Sequence, residues 1–367
     1  MALSKLGDYI ELVEKRNSDN IYKKDNVRGI STQKVFIPTK ANLDGVSLSG
    51  YKLVPPLCFA YVSDTSRRGD KISLAFNDSK NEVYLVSSIS TIFKVKSSNN
   101  LNPYYLYMYF NRQEFDRYTR FNSWGSARET FSWEDMCDIE IDVPSIEKQL
   151  KVVDVYLAMV ANQKAYEKGL EDLKLTCDAY IEDLRRHLPN KNVGVYLTER
   201  NEKNTNNKYS EMVGIGRNGF IEPNQKRSKE SLKKCNVFYK NDFVYAPSSL
   251  VNGVIGISNF DCPMICTEEY IVFYSNDKSK LLPEYLLIWT KRSEFGRRIE
   301  FNSMDSVRNR YYFEQFQKEI SIPLPSFETQ QAIVDIFRVY ETRKRINSEL
   351  LEQIDRICPI LINGSIN

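Results

Sequence analysis

Apolar positions recur at coiled-coil spacing along two long stretches that hold few helix breakers. In the first, which opens at Pro144, Leu150, Val153, Leu157 and Val160 fall on one stripe; after a phase slip near Lys164 to Tyr166 it resumes at Leu170, Leu173, Cys177, Tyr180 and Leu184. In the second, Ile333, Phe337, Tyr340, Leu351, Ile354, Cys358 and Leu361 keep the same spacing, with Lys344 and Asn347 as polar interruptions midway. Each stretch predicts a long helix with a narrow apolar seam, and such a seam needs a partner. The nearest one is the other helix. The chain ahead of Pro144 reads differently: Leu6 to Ile10, Val27 to Ile30, Tyr51 to Val54, Cys58 to Val62, Lys71 to Ala75 and Tyr84 to Val95 are short β-rich segments parted by Gly, Pro, Asp and Asn. From Pro103 to Arg120 the period turns helical, with Leu106, Tyr109, Phe110, Phe115 and Tyr118 as a core-facing stripe. A strand from Ile139 to Val143 ends at Pro144, and Ser145 is placed to cap the helix that follows.

Much of this is written twice, 180 residues apart. Leu101, Pro103, Tyr105, Leu106, Arg112, Glu114, Phe115, Arg117, Phe121, Asn122 and Ser123 meet identical residues at Leu281, Pro283, Tyr285, Leu286, Arg292, Glu294, Phe295, Arg297, Phe301, Asn302 and Ser303. After one inserted residue, Pro144-Ser145-Ile146-Glu147-Lys148-Gln149 aligns with Pro325-Ser326-Phe327-Glu328-Thr329-Gln330. Copies of this size are too large for solenoid repeats, so each is read as a domain plus a helix.

A helix of roughly 35 to 40 residues is about 55 Å long at about 1.5 Å per residue. The central helix carries the chain that far from the first domain, and the C-terminal helix can pack along it only by running back antiparallel. The expected fold is therefore α+β: two mixed, mostly β domains at opposite ends of an antiparallel two-helix coiled coil, related by an internal pseudo-two-fold repeat. The boundaries fall at 1–144 for the first domain, 145–188 for the central helix, 189–325 for the second domain and 326–367 for the C-terminal helix. Two domains held at a fixed separation suit the reading of two DNA segments a set number of base pairs apart, and loops that differ between the copies predict half-sites that differ.

Composition narrows the class without changing this picture. With 42% hydrophobic and 27% charged residues, the chain has the make-up of a soluble globular protein. No apolar run approaches the roughly 20 residues that cross a bilayer, and the N-terminus lacks a signal peptide's apolar core, so a cytoplasmic protein without membrane contact is expected. Seven cysteines, of which only Cys262 and Cys266 are close, lack zinc-site spacing and are read as buried free thiols. The single histidine, His187, falls in the last turn of the central helix, where a cation suits the helix dipole, and leaves little for His-based catalysis. There is no Asn-Pro-Pro-Tyr tetrad for methylating adenine and no Gly-Lys-Ser/Thr phosphate loop; Gly214-Ile215-Gly216 reads as a turn, and Glu268-Glu269 as part of a strand without a nuclease lysine. The chain is expected to be non-catalytic, with no metal and no cofactor of its own.

Charge adds a location. The net charge is only +3, yet residues 21–80 hold ten Lys/Arg against five acids and residues 200–240 hold ten against four, so these windows carry +11 and the remainder −8. The basic charge falls in the same part of each copy, an electrostatic footprint for nucleic acid. Past the helical stretch of each copy, Arg128 in Gly125-Ser126-Ala127-Arg128 and Arg308 in Asp305-Ser306-Val307-Arg308 are placed alike, which points to a phosphate contact or to a shared role in ordering the junction.

On these residues the chain resembles the specificity (S) subunit of type I restriction-modification systems, over essentially its whole length. The Pro144 to Gln149 and Pro325 to Gln330 segments resemble the starts of that family's two repeated helices, and the two junctions resemble its Gly-Ser-x-Arg segment, from which the second departs with Asp305 in place of glycine. The resemblance implies a subunit that binds double-stranded DNA at an asymmetric bipartite site through two target-recognition domains. It also implies two adenine-N6 methyltransferase (M) subunits, which hold S-adenosylmethionine, and up to two restriction/motor (R) subunits, which use ATP and Mg. DNA-reading candidates come from the basic loops: Arg28, Lys34, Arg67, Arg68 and Lys71 in the first domain, Arg217, Asn218, Lys226, Arg227 and Lys229 in the second, with Arg128 and Arg308 at the junctions. Arginine grips guanine bidentately and asparagine adenine, whereas lysine more often holds phosphate. Two other classes compete: a duplicated coiled-coil scaffold whose loops bind protein or RNA, and a DNA-modifying or cleaving enzyme acting alone, for which the residues are lacking.

Overall fold

The computed structural model describes residues 3–64, 71–125, 128–222, 232–303 and 310–366. Its contacts divide the chain into two compact units, Met1–Tyr166 with Asn347–Asn367, and Glu167–Ile346.

In the first unit the described strands are β1 (Ser4–Lys5), β2 (Ile10–Leu12), β3 (Arg28–Ile30), β4 (Phe36–Pro38), β5 (Lys52–Val54), β6 (Cys58–Val62), β7 (Leu74–Phe76), β8 (Tyr84–Val86), β9 (Ser90–Val95) and β10 (Glu140–Ile141). A four-stranded antiparallel sheet takes the order β2-β9-β6-β7, while β1 pairs with β10, β3 with β4 and β5 with β8. Helices α1 (Pro103–Phe110), α2 (Gln113–Phe121) and α3 (Trp133–Cys137) follow the sheet, and then the long helix α4 (Ile146–His187) begins. Strand β6 is buried along its full length, as expected of a central strand covered on both faces. Its Phe59 sits opposite Phe93 of β9 with the rings stacked at 5.0 Å, a cross-strand aromatic pair that pins the register.

The second unit repeats this plan. Its described strands are β11 (Asn190–Asn192), β12 (Leu197–Glu199), β13 (Gly214–Gly216), β14 (Gly219–Ile221), β15 (Asn236–Phe238), β16 (Phe243–Tyr245), β17 (Ile255–Ile257), β18 (Met264–Cys266), β19 (Ile271–Ser275) and β20 (Ser321–Pro323). Helices α5 (Pro283–Thr290), α6 (Ser293–Ser303) and α7 (Phe313–Glu319) precede β20, and α8 (Phe327–Ile366) ends the chain. The sheet order is β12-β19-β16-β17, with β11 on β20, β13 on β14 and β15 on β18, so each pairing of the first unit has its counterpart. Even the aromatic register pair returns, as Phe243 opposite Phe273 with stacked rings at 4.5 Å.

The helical stretch read from Pro103 to Arg120 is two helices. Asn111 caps the first by donating from Nδ2 to the Tyr107 carbonyl at 2.8 Å, and Arg112 is extended, at φ −81° and ψ 146°, with its guanidinium 3.9 Å from the Tyr109 ring centre. One extended residue turns the chain between α1 and α2. In the second unit the equivalent Arg292 pairs with Asp178 and Glu182 of α4, at 3.7 and 2.9 Å.

Both long helices contribute to each unit. In the first, Val153 and Tyr156 of α4 and Cys358 and Ile362 of α8 are buried in one cluster with Phe59, Phe93 and Tyr105, while further along Gln163 donates to Asn347 at 3.2 Å, so the two helices run in opposite directions. In the second, Ile181 and Leu184 pack with Ile333 and Val334 against Phe273 and Tyr285. The narrow seam drawn from the sequence is only partly the buried face: Leu150, Tyr180 and Leu351 are exposed, while Gln149, Tyr156, Ile181, Val334 and Ile362 are buried. A helix that packs against both a sheet domain and another helix buries a wider stripe than a two-helix seam requires.

Candidate DNA interface

The β3–β4 hairpin carries the first group of candidates. Arg28, half-buried, lies over the Tyr84 ring at 4.9 Å and donates to the Asp25 and Val27 carbonyls at 2.5 and 3.1 Å, so its guanidinium is largely committed to its own loop. Lys34 closes the turn with a left-handed backbone, φ 62°, and is buried. Its ammonium pairs with the Asp116 carboxylate of α2 and donates to the Ile72 carbonyl at 2.9 Å, with the Phe115 ring 5.4 Å away. Lys34, expected on the DNA-reading surface, is therefore an internal clamp between hairpin and helix. Burial pushes its pKa below the ordinary lysine value despite the opposing Asp116 charge. Lys71 beside it is exposed, whereas Arg67 and Arg68 lie outside the described residues.

The hairpin also borders an open cleft of about 910 Å³. Its lining includes Lys71 and Arg356 as well as Glu114 and Glu352, so it carries no single sign of charge.

Gly125 explains why the first junction needs glycine. Its φ is +145°, and a Cβ there would stand 2.1 Å from the Arg128 carbonyl oxygen. Trp124 and Thr130 exchange backbone hydrogen bonds at 3.2 and 3.0 Å, closing a tight loop that presents Arg128 exposed. Its counterparts Asp305 and Arg308 lie outside the described residues.

In the second unit the β13–β14 hairpin places Arg217 and Asn218, both exposed, at its two-residue turn between Gly216 and Gly219. Gly219 takes φ +123°, a conformation glycine adopts without strain. From below, Lys291 donates to the Arg217 and Gly253 carbonyls at 2.8 Å each, and burial lowers its pKa to about 8. The turn is thus held by its backbone, with the two polar side chains left at the surface. Lys226, Arg227 and Lys229 lie outside the described residues.

Gly214-Ile215-Gly216 is strand β13, not a turn, and Glu268-Glu269 lie in the turn between β18 and β19, not in a strand. Cys58, Cys235, Cys266 and Cys358 are buried, Cys137 and Cys177 half-buried, but Cys262 is exposed. Burial raises the Cys58 thiol to about 11, away from thiolate chemistry at neutral pH. His187 turns back along its own helix, with Nδ1 3.0 Å from Asp183. Among the described residues no group of His, Cys, Asp or Glu is placed to hold a metal ion, and no helix is long and apolar enough to cross a membrane.

Two structural features were not anticipated. Phe121 and Phe301, at matched positions of the repeat, are 76% and 75% exposed. Gln149 and Gln330 are buried, making side-chain hydrogen bonds to their domains. The sequence signal for both was present in the identity of the paired positions.

Comparison with known proteins agrees with this architecture. The family model for type I restriction modification DNA specificity domains matches residues 190–356. The whole chain shares its fold with the S subunit of a type I restriction-modification system from M. genitalium, at TM-score 0.61 and 12% identity, covering 99% of this chain and 95% of that one. Two further structures align at lower scores: one describing complex assembly and conformational transition of the type I R-M system (TM-score 0.48, 12% identity, 100% and 97% coverage) and the HsdS subunit from Thermoanaerobacter tengcongensis (0.41, 13%, 100% and 96%). No curated protein matches the sequence. The second copy thus matches the type I restriction modification DNA specificity domain, the first copy repeats its strand pairings, and the chain has end to end the fold of a type I restriction-modification S subunit.

Proposed function

We propose that this chain is the non-catalytic specificity subunit of a type I restriction-modification system, which reads an asymmetric, two-part DNA site, one part per domain, and scaffolds the enzymes that act there. The observation that carries the proposal is a duplicated framework with unequal loops. Each unit has the same strand pairings and a β-hairpin in the same place, yet the β3–β4 turn closes on a buried Lys34 while the β13–β14 turn exposes Arg217 and Asn218. Equal scaffolds with unequal tips support two half-sites of different sequence.

Arg128 and Lys71 are assigned to phosphate contact and Arg217 and Asn218 to base contact, with Arg67, Arg68, Lys226, Arg227, Lys229 and Arg308 as further contacts from the same loops and junctions. Phe121 and Phe301, equally exposed at one repeat position, support a partner present twice, which suits two methyltransferase subunits. Those subunits hold S-adenosylmethionine, and up to two restriction/motor subunits use ATP and Mg, in the cytoplasm.

Replacing Arg217 and Asn218 together with alanine tests the hairpin assignment. In the assembled methyltransferase complex, binding to the full DNA site is expected to weaken by about 1–3 kcal/mol per lost base contact, through one half-site only. Unchanged affinity and salt dependence would remove this hairpin from the interface.

A further inference from the structure

Gln149 and Gln330 occupy the first turn of α4 and of α8, and each is almost fully buried, at 0% and 1% exposure. Gln149 accepts from the Asn102 N–H at 2.8 Å and donates to the Asn100 and Pro144 carbonyls at 3.0 and 2.8 Å. Gln330 accepts from the Leu282 N–H at 3.0 Å and donates to the Lys280 and Pro325 carbonyls at 2.9 and 3.1 Å. The two networks coincide bond for bond. Every partner is backbone, so the arrangement survives the change from Asn102 to Leu282 and from Asn100 to Lys280. Only a side-chain amide supplies one acceptor and two donors at this reach; a carboxylate lacks the donors and a thioether lacks both.

Each glutamine joins three segments: the loop between the last strand of the sheet and the next helix, the exit of the domain, and the start of the long helix. That is the pivot on which a domain would swing relative to its helix. A swing of a few ångströms at the DNA changes the spacing read by about one base pair, since a helical turn of 10 to 10.5 base pairs spans about 34–36 Å.

We infer that Gln149 and Gln330 are positioning residues that lock each recognition domain to its long helix and so set the number of base pairs between the half-sites. The inference rests on the bipartite reading above. The test uses the assembled methyltransferase complex and DNA duplexes that carry its mapped site with the native spacer, or with a spacer one base pair longer or shorter. The variants are Gln149→Met and Gln330→Met, which keep length and lose the bonds, and Gln149→Glu and Gln330→Glu, which keep the acceptor but turn a carboxylate oxygen toward two carbonyls. The readout is the ratio of methylation rates between spacers, which a loss of folded protein alone does not move.

In the methionine variants that ratio is expected to fall by about tenfold with half-site sequence preference intact, and at least as far in the glutamate variants. A ratio equal to the parent's in folded glutamate or methionine variants overturns the inference while leaving the bipartite reading in place. A parent complex that methylates all spacers alike overturns both.

Discussion

Lys34→Met is expected to destabilise the first unit by about 3–5 kcal/mol, because it strands the Asp116 carboxylate in the interior. The two side chains are 4% and 10% exposed, and without the ammonium that carboxylate keeps an N–H from Ile72 at 3.3 Å as its remaining observed partner. A buried ion pair contributes little net stability, but half of one is costly. The double variant Lys34→Met, Asp116→Leu should therefore recover most of the loss. Hydrogen exchange of the purified chain can localise the change: protection should fall in α2 and the β3–β4 hairpin and stay unchanged in the second unit. The repeat position of Asp116 is Gly296, where a Cβ would stand 2.5 Å from the Val251 carbonyl oxygen, so the second unit holds no equivalent pair. Because Lys34 is spent internally, the folded double variant should bind DNA with the parent's affinity and salt slope. A single variant as stable as the parent would show that the pair does not form in solution.

Ile362→Ala is expected to cost the same unit about 2–5 kcal/mol, as a large-to-small change at a fully buried core position. Ile362 and Cys358 belong to the cluster around Phe59 and Phe93, and Ser365 sits 2.9 Å from the Tyr105 hydroxyl, 260 positions earlier in the chain. The end of the chain is thus part of the core formed near its beginning. Loss of exchange protection in α1 and β9 would confirm this, and an effect confined to the second unit would contradict it.

The duplication was readable because identical residues at one offset need no structural knowledge, and the long helices because their period persists over many turns. What escaped the sequence reading shares one cause. Lys34 and Asp116 meet across 82 positions, so nothing local marks that lysine as internal rather than solvent-facing. Arg112 interrupts a helical period that continues on both sides of it. Tyr156, Val334 and Ile362 fall off the seam because the helices answer to sheet domains as well as to each other. Lys291, which supports the Arg217 turn through backbone carbonyls alone, leaves no pattern in the sequence of that turn. The glutamines stand in a motif that recurs in both copies, yet spacing alone gave them no role until their buried hydrogen bonds were visible.

Mapping N6-methyladenine across the host genome, with and without this chain and with the methyltransferase subunit left in place, tests the assignment as specificity determinant most directly. Loss of methylation at a single asymmetric, two-part motif is the expected result. An unchanged map, in a host that carries no second specificity subunit, would contradict it.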